Sequence, residues 1–139
     1  MVNFSNCPIV WCSKHQTTIS LSTTEAEIQV LSLALRDVKF LLNLLNEIKV
    51  MTNMNHHFPT TISCRTFEDN QAAVDISNEP KLRPRTKHLA VQLFQFREHV
   101  INKTITIEHV MSEHQAADVF TKPLAKRQFE TCRHNIMGW

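Results

Sequence analysis

The stretch "SLSTTEAEIQVLSLAL", beginning at Ser20, carries two glutamates two positions apart, Glu25 and Glu27. On a helix that spacing points them to nearly opposite sides, so only one can face what the helix packs against. Glu25 lines up with Gln29, Ser32, Arg36 and Asn43, a polar stripe. Glu27 lines up with Leu31, Ala34 and Val38, at the margin of the face that must bury. Ser22 with Glu25 fits an S-x-x-E capping box, which gives Glu25 a structural role on the solvent side. Thr24 with Glu27 would make a second box, but both cannot operate in one frame. A carboxylate beside a core is costly unless it is paired or metal-bound. Glu27 is therefore either hydrated or arginine-paired at the open end of a sheet, or it does chemistry.

Two more acids have comparable settings. Asp69 ends a strand and precedes "NQAAVDIS", where its plain role is an N-cap. Asp118 sits in "HQAADVF", where its plain role is a surface position in a first turn. Three acids at strand ends or helix starts can meet at one edge of an α/β sheet, where such folds place their sites. Gathered carboxylates repel unless divalent cations lie between them, and hard cations such as Mg²⁺ take oxygen ligands.

The elements that would position these acids follow from periodicity. Val2 to Val10 reads as two strand ends joined by a turn near Asn6 to Pro8, and "IVWCS" from Ile9 as a strand. A long helix runs from about Ser22 to Val50, with Ile28, Leu31, Leu35, Val38, Leu42 and Leu45 on its apolar stripe. "ISCRTF" is a strand ending at Glu68-Asp69, "QAAVDIS" a short helix and "NEPKLRPRTK" a loop. A second amphipathic helix follows, with Leu89, Leu93, Phe96 and Val100 on one face. "TITIEHV" alternates as a half-buried strand does, and "SEHQAADVFTK" opens a last helical region. Strands alternating with helices predict an α/β domain, with helices packed on a mixed sheet.

Bulk properties fit one domain: 139 residues, 42% hydrophobic and 20% charged. Residues 1–69 carry five Lys/Arg against six Asp/Glu, and residues 70–139 carry ten against seven, so the basic tilt lies in the second half. Such a tilt suits a polyanionic partner or a solvated surface. Cys7, Cys12, Cys64 and Cys132 form no C-x-x-C pair, which argues against zinc and for reduced thiols inside a cell. The longest apolar stretch, Val38 to Leu45, is broken by Lys39 and Asn43, too short for a membrane span.

Taken in order, "WCSKHQTTISLSTTEAEI", "EDNQAAVDIS", "RPRTKHL", "FQFREHVINKTITIEHV" and "HQAADVFTKPL" resemble the ribonuclease H domain that ends the polyprotein of copia-type LTR retrotransposons, over roughly Pro8 to Phe129. The resemblance implies a ribonuclease H-like fold, a mixed sheet flanked by helices, formed by residues 1–139 as one domain. It implies hydrolysis of the RNA strand of RNA/DNA hybrids beside the reverse transcriptase portion of the same polyprotein, in cytoplasm or nucleus and off the membrane. By position, Glu27, Asp69 and Asp118 are the implied catalytic and metal-binding acids. They would hold Mg²⁺ or Mn²⁺, two ions about 4 Å apart in the intact site. Asn70 and Gln71 of "DNQ" belong to the implied nucleic-acid contacts, Gln71 at the minor groove. Ser22 and Thr24 would hold a phosphate near a helix start, and Lys81, Arg83, Arg85, Lys87 and His88 would follow the backbone. Trp11, Phe94 and Phe96 read as core rather than stacking platforms, and His114 as a surface histidine.

The chain departs from the family pattern twice. A first-strand aspartate has no counterpart, since Glu25 is the first acid, so the central first strand is expected to be missing and the domain truncated at its N-terminus. Ala90 stands where the family commonly has an acid. Without the first-strand aspartate a bridged pair of ions is not expected, so the chain alone is expected not to cleave. Two readings follow: a ribonuclease H module that is active when intact, or a remnant that keeps the fold and binds nucleic acid without cleaving it.

Overall fold

The computed structural model describes residues 1–5, 7–17, 19–53, 57, 61–79 and 89–137. The basic loop with Lys81, Arg83, Arg85, Lys87 and His88 lies outside them. The architecture is mixed α/β, with four α-helices, two two-stranded sheets and no closed barrel among the described residues, compatible with a ribonuclease H-like fold. The chain divides into two compact units, one of residues 1–18 and 110–139, the other of residues 19–109.

The larger unit is organised by α1 (Thr23–Met51). Ile28, Leu31, Leu35, Val38 and Leu42 are buried, the three-and-four spacing that places one stripe against a core. The start is fixed by a cap: Ser22 Oγ accepts from Glu25 N–H at 3.1 Å, and Glu25 Oε2 accepts from Leu21 N–H at 2.8 Å. The expected Ser22–Glu25 box is thus formed, with the glutamate reaching the amide just before the cap. β3 (Cys64–Glu68) and β4 (Ile105–His109) pair in parallel, with Cys64 opposite Ile105 and Glu68 opposite His109. Between them come α2 (Gln71–Asn78) and α3 (Ala90–Ile101). Ala73, Val74, Leu89, Leu93, Phe96, Ile105 and Ile107 complete the core. Asn78 Nδ2 donates to Ile107 O at 3.0 Å, pinning the end of α2 to β4.

α3 ends in a left-handed turn at Lys103, φ 56°. Lys103 N–H donates to Val100 O and Thr104 N–H to His99 O, the paired bonds of a Schellman end. The chain thereby reverses directly into β4.

In the smaller unit β1 (Val2–Phe4) and β2 (Cys7–Val10) form the expected antiparallel hairpin. The strand stops at Val10, and Trp11, read from sequence as core, is 61% exposed. Two 3₁₀ segments, Ser112–His114 and Ala116–Phe120, precede α4 (Lys126–Met137), so the last helical region is tight turns first and α-helix second. α4 buries Cys132 and Ile136.

Phe96 is buried, whereas Phe94 is 61% exposed, correcting the expectation that both are core. The reason is angular: two positions on a helix lie roughly 200° apart, so one of the pair must leave the buried stripe. No helix among the described residues is long and apolar enough to cross a membrane.

Candidate functional site

β3 alternates as a half-buried strand: Cys64, Thr66 and Glu68 turn inward while Arg65 and Phe67 are exposed. That parity carries Glu68 to the buried face at the strand's C-terminal end, where it is 8% exposed. Asp69 follows at the turn into α2, and Glu27 comes from the first turns of α1; both are half-buried. One carboxylate oxygen from each of Glu27, Glu68 and Asp69 lies within 4.8 Å of the other two. The larger unit thus brings together two acids singled out in the sequence and one that was not.

Burial is the main cause that pushes the Glu68 carboxyl up to about 7 from its ordinary 4.5. The backbone N–H of Asn70, which donates to Glu68 Oε1 at 3.2 Å, pulls the other way. The charges of Glu27 and Asp69 push it further up. This is the electrostatic signature of gathered carboxylates, and a divalent cation between them removes their mutual repulsion. Three carboxylates form a hard oxygen donor set of the kind Mg²⁺ and Mn²⁺ take.

Asn70, not Asp69, caps α2: its side chain accepts from Ala73 N–H at 3.1 Å. The capping role first open to Asp69 is therefore filled by its neighbour. Gln71 is exposed at the first position of α2, where its Nε2 donates to Asp75 Oδ1 at 2.7 Å. Ser22 is exposed with its hydroxyl oxygen in the α1 cap, and Thr24 is half-buried in the first turn.

Asp118 belongs to the smaller unit and is only 7% exposed, which corrects the surface position expected of it. Its Oδ2 accepts from Lys122 Nζ at 2.8 Å, and its carbonyl closes the turn by accepting from the N–H groups of Thr121 and Lys122. Its charge and, more strongly, burial push the Cys132 thiol up. His114 is exposed, as expected.

Glu68 is the residue that sequence reasoning missed. Reading "CRTFE" as a strand with Cys64 inward would have placed Thr66 and Glu68 inward as well.

The chain is 29% identical over 136 residues to the retrovirus-related Pol polyprotein from transposon TNT 1-94 of Nicotiana tabacum. It is equally similar, over the same length, to those from transposons RE2 and RE1 of Arabidopsis thaliana. The chain resembles a segment of plant transposon Pol polyproteins. Each alignment covers 98% of the chain but only 9% to 10% of the relative, so the chain spans about a tenth of the curated relatives it matches. The likeness supports a piece of a retrotransposon Pol polyprotein. No protein-family model and no solved structure matches.

Proposed function

We propose that the chain is a ribonuclease H-like piece of a copia-type Pol polyprotein that hydrolyses the RNA strand of RNA/DNA hybrids with divalent cations. The observation that carries this reading is the meeting of Glu27, Glu68 and Asp69 within 4.8 Å at the end of β3. In this reading Glu68 would stand in, from a different strand, for the carboxylate that the sequence pattern lacks on its first strand. Asp118 is the further acid of the proposal, by resemblance.

In the proposed mechanism Glu27, Glu68 and Asp69 hold Mg²⁺ or Mn²⁺ through carboxylate oxygens, with Glu68 ionised in the loaded state. Bound cations supply Lewis-acid stabilisation of the charge that builds up on the attacked phosphate. The Asn70 N–H keeps Glu68 Oε1 oriented, while the Asn70 side chain ties down the first turn of α2. Gln71, beside that turn, reads the minor groove where the 2′-hydroxyl marks RNA. Thr24 and Ser22 approach a phosphate at the start of α1, and Arg83, Arg85, Lys87 and His88 follow the backbone. The reverse transcriptase portion of the polyprotein, in cytoplasm or nucleus, is the partner in this reading.

The test is cleavage of a labelled RNA/DNA hybrid by the purified chain in Mg²⁺ and in Mn²⁺. Cleavage of the RNA strand, lost in Asp69→Asn and in Glu68→Gln, supports the proposal. Salt-sensitive hybrid binding without cleavage in either metal points instead to a non-cleaving remnant.

A further inference from the structure

A second feature lies on another flank of α1. The polar stripe of Ser32 and Arg36 extends to Lys39, and in the structure part of it is not solvent-facing: Ser32 is 4% exposed, packed towards α3. Ser32 Oγ donates to Gln95 Oε1 at 2.8 Å across the two helices. Around this bond a cleft of about 300 Å³ opens between α1 and α3, lined by Ser32, Leu35, Arg36, Lys39, Gln95, Phe96 and His99. Helix seams are ordinarily closed by apolar side chains. This one has a polar, cationic mouth over a floor of buried Leu35 and Phe96.

The lining is one-sided in charge. Arg36 brings a planar fork of donors and Lys39 a point charge, and among the described residues no carboxylate lines the cleft. Gln95 accepts the Ser32 proton on Oε1, which leaves its Nε2 hydrogens as donors. Thr104 Oγ1 gives its proton to His99 O and stands 3.1 Å from His99 Nδ1. Nδ1–H therefore donates to that oxygen, which leaves Nε2 of the neutral ring as an acceptor. An apolar floor lowers the local dielectric and strengthens the pull of the two cations on an anion. The fork of an arginine and the ammonium of a lysine together match the oxygens of a phosphate group. The cleft is larger than that group alone, leaving room for the ester that carries it.

We infer that the α1–α3 cleft is a phosphate-binding site, held by Arg36 and Lys39 with Gln95 as a further donor. It is separate from the acid cluster: Ser32 and Glu27 point roughly 140° apart around α1. The inference stands whether or not the chain cleaves RNA. The phosphate is either a free phosphoester or part of a nucleic-acid backbone, and the two sources are separable by experiment.

The test uses the whole chain in EDTA, following the backbone amide signals of residues 36, 39, 95 and 99 during titration with inorganic phosphate and, separately, with a short RNA/DNA hybrid. The double variant Arg36→Ala/Lys39→Ala is compared with Lys126→Ala/Arg127→Ala, which removes the same charge from α4. All four side chains are exposed, and unchanged thermal melting shows that both variants stay folded. Saturable shifts at these amides, with affinity lowered at least tenfold in the first variant and not in the second, are expected. If the selective loss occurs with inorganic phosphate and the hybrid does not compete, the ligand is a small phosphoester. A selective loss seen with the hybrid alone assigns the phosphate to nucleic acid. Equal losses in both double variants, or no saturable shift with either probe, overturn the inference.

Discussion

Replacing Glu68 by glutamine isolates the energetic consequence of gathering three acids. Glutamine keeps an oxygen for the Asn70 N–H and removes the ionisable group. The Glu68 carboxyl is held at about 7 in the folded chain against an ordinary 4.5. A raised carboxyl pKa means that the folded state holds its proton more tightly than the unfolded one. Its contribution to stability is therefore complete below pH 4.5 and is lost as the pH rises through 7. At about 1.4 kcal/mol per pH unit, the shift corresponds to about 3.5 kcal/mol before solvent screening, which leaves at most about 3 kcal/mol across that window. Urea unfolding of both proteins in EDTA, at intervals from pH 4 to 8, measures it. The stability of Glu68→Gln relative to the parent should rise by up to about 3 kcal/mol from pH 4.5 to above 7. Adding Mg²⁺ at pH 8 should raise the parent's stability more than the variant's, because a ligand held only by the folded state stabilises it by an amount that grows with the logarithm of its affinity. A stability difference that stays flat with pH would refute the reasoning, since Glu68 would then feel neither burial nor its acidic neighbours.

Other consequences can be measured by the same unfolding assay. Phe96→Ala should cost about 3 to 5 kcal/mol, whereas Phe94→Ala should stay within about 0.5 kcal/mol, because only the first empties a buried volume. Removing the α2 cap with Asn70→Ala should cost about 1 kcal/mol and lower the midpoint without altering the denaturant slope. Lys103→Gly should leave the protein as stable or raise it by up to about 1 kcal/mol, since glycine takes the left-handed conformation without a Cβ clash.

The legible parts of the fold were those written in a repeating pattern. The α1 stripe from Ile28 to Leu42 and the alternation of Ile105 and Ile107 gave their elements and buried faces directly. The Ser22–Glu25 cap could be read because it needs only residues three apart. Glu27 was picked out because a carboxylate beside Leu31 and Val38 breaks an otherwise apolar flank. Glu68 is overshadowed by the aspartate beside it, whose place before a helix is the plainer signal, although the strand's two-residue parity already turns Glu68 inward. Neighbouring polar residues at a helix start were likewise ambiguous. Asp69 and Asn70 both suit an N-cap by type, and only the backbone angle of the turn assigns the role to Asn70. Asp118 looked superficial among small residues, yet the 3₁₀ turn from Ala116 to Phe120 tucks it inward beside Lys122. Trp11 was misread for the opposite reason: hydrophobicity alone suggested burial, but the strand that would have carried it inward ends one residue earlier.

The central claim is that Glu27, Glu68 and Asp69 act together as one cation site. Calorimetric titration of the chain with Mn²⁺ at pH 7.5, repeated for Glu27→Gln, Glu68→Gln and Asp69→Asn, tests it most directly. Saturable binding that each single substitution weakens at least tenfold is the predicted result. Mn²⁺ affinity unchanged by all three substitutions, or no saturable binding to the parent chain, would contradict the claim.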